Sequence, residues 1–233
     1  MKKVAIVTAA SKGMGRACAY ELHNRGYALS LMSRGDEIDG LGEELEALTM
    51  KGSVTSADDL SNLVKATNER YGKIDAVVNN TGHPAKGPLL SISDQEWHDG
   101  MDLILLNVIR MARLVVPYFK SNGGGSIVNI STFAAFEPSL SFPVSSAMRA
   151  ALAGFTKLFS DEYGTSGIRM NNVLPGFINS YPVDEDVLER IPLKRQGKIE
   201  EIAKTTAFLL SSDAEYITGQ NIRVDGGISR SIG

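Results

Sequence analysis

The chain contains few of the residues that build disulfide frameworks and metal centres. It has one cysteine, three histidines and one tryptophan among 233 residues. The single cysteine, Cys18, excludes an internal disulfide, so we expect a buried core residue on an early helix. The histidines at 23, 83 and 98 lack the spacing of metal ligands, and the sequence predicts no metal site.

Long hydrophobic runs are also missing. The opening MKKVAIVTAAS holds only a short apolar segment before a polar turn. That segment is too short for the core of a signal peptide or for a membrane-spanning helix. We therefore interpret it as a buried first strand and expect a cytoplasmic protein with no membrane partner.

Neither sign of charge dominates the chain. The 24 basic and 27 acidic residues give a net charge of −3, which argues against the strongly basic surface that binds nucleic acid or anionic membranes. What is present is the composition of a soluble globular protein, 43% hydrophobic and 22% charged. The length suits one domain over residues 1–233 with a substantial core. The expected partner is a small molecule.

Short apolar segments alternate with longer helical patterns from end to end of the chain. The predicted strands are 4–9, 27–33, 75–80, 126–131, 169–174 and 221–226. The predicted helices are 13–25, 57–71, 93–119, 142–163 and 198–211. Strands separated by helices pair in parallel through right-handed crossovers, so the pattern predicts one α/β domain built on a doubly wound sheet.

A glycine-rich turn, VTAASKGMGRA, joins the first predicted strand to the first predicted helix. Glycines at this junction let the backbone approach a pyrophosphate, and the helix N-terminus offers free N–H groups. Gly13 and Gly15 are the two glycines nearest the expected pyrophosphate. The turn therefore predicts a dinucleotide site.

The turn also resembles a family signature. Thr8 followed by Gly13 and Gly15 is similar to the Thr-Gly-x-x-x-Gly-x-Gly pattern of the short-chain dehydrogenase/reductase family. Four later motifs agree with it: Asn79-Asn80-Thr81-Gly82, Pro175-Gly176-Phe177-Ile178, Thr218-Gly219-Gln220 and Asp225-Gly226-Gly227. Ala9 departs from the pattern, because it stands where the family has its first glycine, and alanine disfavours a positive φ.

The resemblance implies a Rossmann-type fold with a seven-stranded parallel sheet, a nicotinamide cofactor and an oxidoreductase activity. It also implies dimers or homotetramers, assembled through apolar outer faces of helices 93–119 and 142–163. The branch that the chain looks most like is that of the β-ketoacyl-acyl-carrier-protein reductases, in a lineage whose catalytic tetrad is imperfect.

The choice of cofactor depends on the residues that follow the second strand. A free ribose 2′-hydroxyl is bound by an acidic residue there, whereas a 2′-phosphate is accommodated by arginine. The strand ends at Ser33-Arg34 with no acid before Asp36, and Lys12 adds a second basic group. We expect NADP(H), with NAD(H) the less favoured cofactor. Ser53, followed by Val54, stands where the family carries an acid that contacts adenine.

The matching positions of the family's motifs predict the residues that contact the cofactor. They are Thr8, Ala9, Ser11, Lys12, Gly13, Met14, Gly15, Ser33, Arg34, Ser53, Val54, Asn80, Thr81, Gly82, Arg149, Pro175, Gly176, Ile178 and Ser180.

The catalytic tetrad is altered. Family members use Asn, Ser, Tyr and Lys, and a gapless alignment places Thr132, Ser145 and Arg149 at the last three positions. The asparagine position falls on Ile104, with Asn107 one helical turn further on. Thr132 keeps a hydroxyl, but an aliphatic serine hydroxyl is a much poorer acid than a phenol, and arginine does not release a proton. We expect Thr132 and Ser145 to hold a carbonyl oxygen and Arg149 to hold the nicotinamide ribose.

Two other side chains are alternative proton donors. His83 follows the Asn-Asn-Thr-Gly motif directly, and its residue type titrates near neutral pH. Tyr181 has the phenol that the tetrad lacks, and it begins the segment 181–190 that covers the substrate in relatives. This segment is short and acidic, which indicates an open site. Each of the two is also an ordinary loop residue, and water remains a third source of the proton.

Three functions compete at this point. The first is an NADP(H)-dependent carbonyl reductase or alcohol dehydrogenase with an altered proton donor, acting on a small carbonyl or alcohol substrate. The second is a sensor or scaffold that binds NADP(H) and has weak or no catalysis. The third is non-redox chemistry resembling that of halohydrin dehalogenases, which keep a tyrosine and fill the nucleotide turn. This chain lacks that tyrosine and keeps Gly13 and Gly15, so the third is the least favoured.

Overall fold

The strands and helices alternate as the sequence pattern predicts. The computed structural model describes residues 2–232. The strands are β1 (Val4–Thr8), β2 (Ala28–Ser33), β3 (Leu48–Lys51), β4 (Ala76–Asn79), β5 (Gly125–Ile130), β6 (Ile168–Pro175) and β7 (Asn221–Val224). The α-helices are α1 (Gly13–Asn24), α2 (Glu37–Glu44), α3 (Ala57–Tyr71), α4 (Asp94–Met101), α5 (Asn107–Ser121), α6 (Pro143–Tyr163), α7 (Glu185–Arg190) and α8 (Ile199–Leu210).

The seven strands form one parallel sheet in the order β3-β2-β1-β4-β5-β6-β7. The seven-stranded Rossmann-type sheet is thus confirmed. The chain leaves β1 toward one edge and returns to β4 on its other side. Ligands of open α/β sheets bind at the carboxyl ends of the strands beside such a reversal.

Two apolar cores cover the two faces of the sheet. One packs α1, α2 and α8 against it, with Leu22, Ile38 and Ile202 fully buried. The other packs α3, α5 and α6, with Leu60 and Phe119 among its most buried side chains. Cys18 is buried in the first core, as expected, and burial raises the pKa of its thiol to about 12.

The long predicted helix 93–119 is two α-helices joined by a π-helical turn, Asp102–Leu106. Its start is a capping box in which Ser93 and Glu96 exchange hydrogen bonds. π-Helical turns inside α-helices recur at functional sites, because they shift the register of the side chains that follow. The pattern of apolar residues along 93–119 gave no sign of this π-helical turn.

Three of these strands and α-helices were absent from the sequence prediction. The first two are α2 and the edge strand β3, whose residues Leu48–Lys51 are partly or fully exposed and carry no apolar run. The third is α7, six residues of an acidic segment that periodicity cannot identify as a helix.

Four asparagines form a ladder across neighbouring strands. Asn79, Asn129, Asn172 and Asn221 lie side by side on β4, β5, β6 and β7. Each neighbouring pair is joined by an amide-to-carbonyl hydrogen bond, with lengths of 2.9, 2.9 and 2.7 Å along the ladder. Thr156 of α6 donates to the Asn172 oxygen at 3.0 Å. The ladder therefore ties half of the sheet together and links it to α6.

No helix within residues 2–232 is long and apolar enough to cross a membrane.

Candidate active site

The glycine turn after β1 has the backbone that close approach to a ligand requires. Gly13 has a positive φ of 51°, and a Cβ added to it would meet open space. A Cβ on Gly15 would lie 2.3 Å from the Ala9 carbonyl oxygen and 2.6 Å from the Asn80 amide nitrogen. Only glycine fits at position 15. Ala9 holds a positive φ of 47° despite its methyl group.

A mutual pair of hydrogen bonds joins the ends of β1 and β4. The Thr8 hydroxyl donates to the Asn80 carbonyl at 2.8 Å and accepts from the Asn80 N–H at 3.0 Å. The Asn80 side chain then donates to the Ala9 carbonyl at 3.1 Å. These contacts hold the glycine turn in place from the neighbouring strand.

Helix α1 begins at this turn with its N-terminal N–H groups available. Lys12 precedes the helix, no side chain caps it, and its first turn has no acidic residue. An uncapped N-terminus presents N–H groups and the positive end of the helix dipole. Together with the space at Gly13, this start fits a pyrophosphate.

The end of β2 lies beside the turn, as predicted. Ser11 and Ser33 share a hydrogen bond of 2.8 Å between their hydroxyls. Arg34 is exposed. Lys12, however, forms an ion pair of 3.2 Å with Glu37, a residue that the sequence prediction did not consider. Exposed pairs of this kind contribute little to stability, so Lys12 can exchange its partner.

The adenine end of the predicted site contains an acid that the sequence prediction missed. Val54 is buried, and the Ser53 hydroxyl pairs with that of Thr55 at 2.8 Å. The Ser53 N–H donates to an Asp59 carboxylate oxygen at 2.8 Å. An N3 residue of a helix often turns back in this way, so the capping position of Asp59 was the available signal.

A small polar cavity lies where β4, β5, α5 and α6 meet. Its volume is about 10 Å³, which is close to the least space that holds one water. Asn107 and Ile104 both line it, with Thr81 and Arg149. Ile104 cannot hydrogen bond, and the Asn107 amide donates to the Leu103 carbonyl. Asn107 and Ile104, the residue at the family's asparagine position, thus line the same cavity as Arg149.

Thr81 adds an unsatisfied hydroxyl to this region. Its Oγ1 is buried without a hydrogen-bond partner among the described residues. Buried polar atoms are nearly always paired in folded proteins, and an exception at a cleft indicates a ligand position. Gly82, next along the chain, is exposed.

Arg149 is a buried cation that ties α6 to the end of β5. Only 7% of its surface is exposed. One terminal N–H donates to the Ile130 carbonyl at 2.5 Å, and Nε–H donates to the Ser145 hydroxyl at 3.2 Å. Burial lowers the pKa of Arg149 to about 10, so the guanidinium stays charged at neutral pH. The spacing of one helical turn therefore brings Ser145 and Arg149 together, as predicted.

Thr132 follows β5 and caps a short helical turn. Its hydroxyl accepts from the Ala134 N–H at 3.4 Å. Phe133 packs against Phe177 from the segment after β6, with ring centroids 5.5 Å apart. The two rings form an apolar wall at the carboxyl edge of the sheet.

The segment after β6 is held by backbone contacts. The Gly176 N–H donates to the Val224 carbonyl at 3.0 Å, and a Cβ at Gly176 would lie 2.7 Å from the Asp225 Cα. Pro175 and Ile178 are buried, whereas Ser180 is exposed.

His83 and Tyr181, the two alternative proton donors, lie in contact. Their ring centroids are 5.5 Å apart and the ring planes are inclined by 70°. Partial desolvation, then the positive charges of Lys86 and Arg149, lower the pKa of His83 below its ordinary value. The charge of Arg149 therefore reaches this pair.

Within residues 2–232, no group of three or more His, Cys, Asp or Glu side chains could hold a metal ion.

Comparisons with known proteins give matches along nearly the whole chain. Residues 8–229 match a family model described as enoyl-(acyl carrier protein) reductase. The 3-oxoacyl-[acyl-carrier-protein] reductase FabG of Staphylococcus epidermidis is 34% identical over 98% of this chain and 99% of its own length.

Solved structures share the whole fold. YwfH, described as an NADPH dependent reductase involved in bacilysin biosynthesis, is 28% identical and superposes with a TM-score of 0.94 over 100% of both chains. A 7α-hydroxysteroid dehydrogenase complexed with NADH is 26% identical, with a TM-score of 0.93 over 99% of this chain and 96% of that one. The fold, the glycine turn and these matches together establish that the chain belongs to the short-chain dehydrogenase/reductase family of oxidoreductases.

Proposed function

We propose that the chain is an NADP(H)-dependent oxidoreductase of the carbonyl reductase or alcohol dehydrogenase type, with Thr132, Ser145 and Arg149 in place of Ser-Tyr-Lys. The observation that supports it most directly is the position of Asn80. This residue holds the glycine turn through the Ala9 carbonyl and also lines the cavity that contains Arg149. This position of Asn80 between the glycine turn and Arg149 supports a single site for the cofactor and the altered residues.

The phosphate of the cofactor is recognised by Arg34. Solved relatives are described with NADPH more often than with NADH, which supports NADP(H). Arg34 is exposed at the end of β2, with no acid beside it in the strand, and arginine accommodates a 2′-phosphate. Lys12 is the second basic group, available once it leaves Glu37.

The residues around the turn would hold the rest of the dinucleotide. The pyrophosphate would lie against the N–H groups of α1 beside Gly13, and the Thr81 hydroxyl would gain the partner that it lacks. When bound, NADPH supplies a hydride to the carbonyl carbon.

Arg149 orients the Ser145 hydroxyl. Because its Nε–H donates to the Ser145 oxygen, the Ser145 O–H is directed away from Arg149 and can donate a hydrogen bond to a carbonyl oxygen. The Thr132 hydroxyl supplies a second donor. Arg149 itself stays protonated, so its remaining N–H groups would hold the nicotinamide ribose and not exchange a proton.

This arrangement binds a carbonyl better than it protonates one. Loss of a positioned general acid typically costs ~10²–10⁴ in rate. Turnover of simple ketones by Thr132, Ser145 and Arg149 alone should therefore be slow. Carbonyls activated by electron-withdrawing groups should be better substrates, because their developing alkoxides need less help from a proton.

A specific observation favours a second candidate, the NADP(H)-binding sensor or scaffold with weak or no catalysis. Two of the Arg149 donors are used within the protein, by Ile130 and Ser145. An arginine engaged in this way keeps the site rigid whether or not chemistry occurs.

Two measurements separate these candidates. Binding is measured by nicotinamide fluorescence on adding NADPH, and turnover by the loss of NADPH absorbance with a panel of plain and activated carbonyls. Binding with turnover of the activated carbonyls supports the reductase, and binding without any turnover supports the sensor.

Variants of α6 test the roles of its two residues. Arg149→Ala should weaken NADPH binding, with Arg149→Lys as the control that restores the charge, and circular dichroism should show that both are folded. Ser145→Ala should keep NADPH binding and lower only kcat. If the wild type reduced plain ketones rapidly and Ser145→Ala abolished this, the serine would be the acid and the assignment wrong.

A further inference from the structure

Helix α6 presents no acid to the substrate. Its residues at the two altered positions are a serine whose oxygen accepts from Arg149 and an arginine that stays charged. A reductase built on this site needs a proton from another element.

One phenol packs against the loop that follows β4. His83 follows the end of β4 by a few residues, and Thr81 in between lines the cavity together with Arg149. The Tyr181 ring packs against the His83 imidazole at 5.5 Å in an edge-to-face arrangement. Tyr181 therefore lies against the loop that follows β4, on the segment that follows β6.

The backbone of Tyr181 is anchored although its side chain is exposed. Its N–H donates to the Ile178 carbonyl at 3.3 Å. The Gln196 side chain bridges two carbonyls, those of Ile178 at 3.0 Å and Tyr181 at 2.7 Å. Gly197 pairs with Ile178 as an isolated parallel bridge. The phenol is thus carried on a fixed backbone while the ring keeps room to turn.

We propose that Tyr181, delivered from the segment after β6, is the catalytic acid of this enzyme, and that His83 is the residue that positions its ring. The proposal rests on the reductase function proposed above.

The step balances without any further reactant. The carbonyl carbon gains the hydride and its electron pair from NADPH, and the carbon–oxygen π pair moves onto the oxygen. The Tyr181 O–H bond breaks, its proton forms the new O–H bond of the alcohol, and its electron pair stays on the phenolate. Solvent water returns a proton to the exposed phenolate.

The charges around His83 suit a positioning role. Partial desolvation, and then the charges of Lys86 and Arg149, lower the pKa of its imidazole, so the ring that Tyr181 contacts is neutral at pH 7. A neutral ring can hold the phenol beside Arg149 without adding a third positive charge.

The test compares Tyr181→Phe with Tyr216→Phe, which removes the hydroxyl of a fully exposed tyrosine after α8. Tyr181→Phe should keep its NADPH affinity and lose about 10² or more in kcat. The loss should be larger for a plain ketone than for its trifluoromethyl analogue, whose alkoxide needs less protonation. Tyr216→Phe should behave as the wild type. A purely structural role of Tyr181 would lower both rates equally.

Two variants examine His83. His83→Phe retains an aromatic ring against Tyr181 and should lose less kcat than His83→Ala. Equal losses of kcat in the two variants would show that the reaction uses the imidazole itself. That result would contradict a positioning role through ring packing.

Different results would overturn the role of Tyr181 and the reductase function. An active wild type whose Tyr181→Phe variant reduces both ketones at unchanged rates overturns the role of Tyr181 and leaves the reductase function standing. A wild type that binds NADPH and turns over no carbonyl overturns the reductase function, and the role of Tyr181 with it.

Discussion

Ala9 holds a backbone conformation that alanine resists. Its φ of 47° lies in the left-handed region, where a Cβ costs roughly 1–2 kcal/mol. The Asn80 side chain bonds to the Ala9 carbonyl, and the Gly15 backbone packs directly against it. Those contacts impose the conformation on the residue.

We expect Ala9→Gly to raise the free energy of unfolding. The relief of strain outweighs the entropy that glycine adds to the unfolded chain, for a net gain of ~0.5–1 kcal/mol. Urea denaturation measures this change in the free energy of unfolding. Ala10→Gly is the matched control, because Ala10 is fully buried and has no positive φ. The control should lose stability, and a loss in both variants would contradict the strain argument.

Arg34 should carry the preference for NADPH over NADH. Arg34→Ala leaves the 2′-phosphate without its charged partner, so the affinity for NADPH should fall by ~1–3 kcal/mol and that for NADH hardly at all. Fluorescence titration with each cofactor checks this. Arg25→Ala, at the opposite end of β2, should change neither. Equal losses for the two cofactors in Arg34→Ala would refute the assignment.

At the scale of elements, the asparagine ladder connects β4, β5, β6 and β7 behind the site. Its members are buried except at the β7 end, where Asn221 is only partly buried. Buried amides are costly when they lose their partners. Asn129 and Asn172 both have ladder neighbours on both sides and are almost fully buried.

Asn129→Ala should lower the free energy of unfolding by ~1–3 kcal/mol, because the Asn79 amide then lacks an acceptor. The Asn172 oxygen keeps its bond from Thr156. Asn221→Ala should cost less, since water can replace a partly exposed group. Thermal and urea unfolding compare the two variants, and a larger loss in Asn221→Ala would contradict the ladder's role.

At the scale of the whole molecule, we propose that copies of the chain associate through α6. Ala147, Ala151, Gly154 and Leu158 form an exposed stripe along this helix, with Leu158 69% exposed. A Cβ on Gly154 would meet open space. The outward surface of α5 differs from the expectation, because Arg113 and Lys120 interrupt its partly exposed apolar residues.

Leu158→Glu should shift the protein toward the monomer, since a charge would be buried in the interface. Light scattering at micromolar concentration measures the assembly. Leu90→Glu is the control, at a residue 97% exposed outside this stripe. A wild type that is a monomer at that concentration would contradict the proposal.

The sequence by itself determined the family and the parallel sheet, and it predicted where on that sheet the site lies. Strand and helix periodicities are local signals, and Gly13, Gly15 and the Asn-Asn-Thr-Gly motif occur at fixed distances from them. The pairing of Ser145 with Arg149 was also predictable, because residues four apart share one face of a helix.

Only the tertiary structure decided how distant side chains meet. The contact between His83 and Tyr181 joins loops that follow different strands, and the partners of Lys12 and Arg149 depend on packing between elements. The π-helical turn that sets Asn107 beside Arg149 has no signature in the pattern of apolar residues. Such contacts depend on the sheet order and on how each helix packs over it, which periodicity along the chain does not encode.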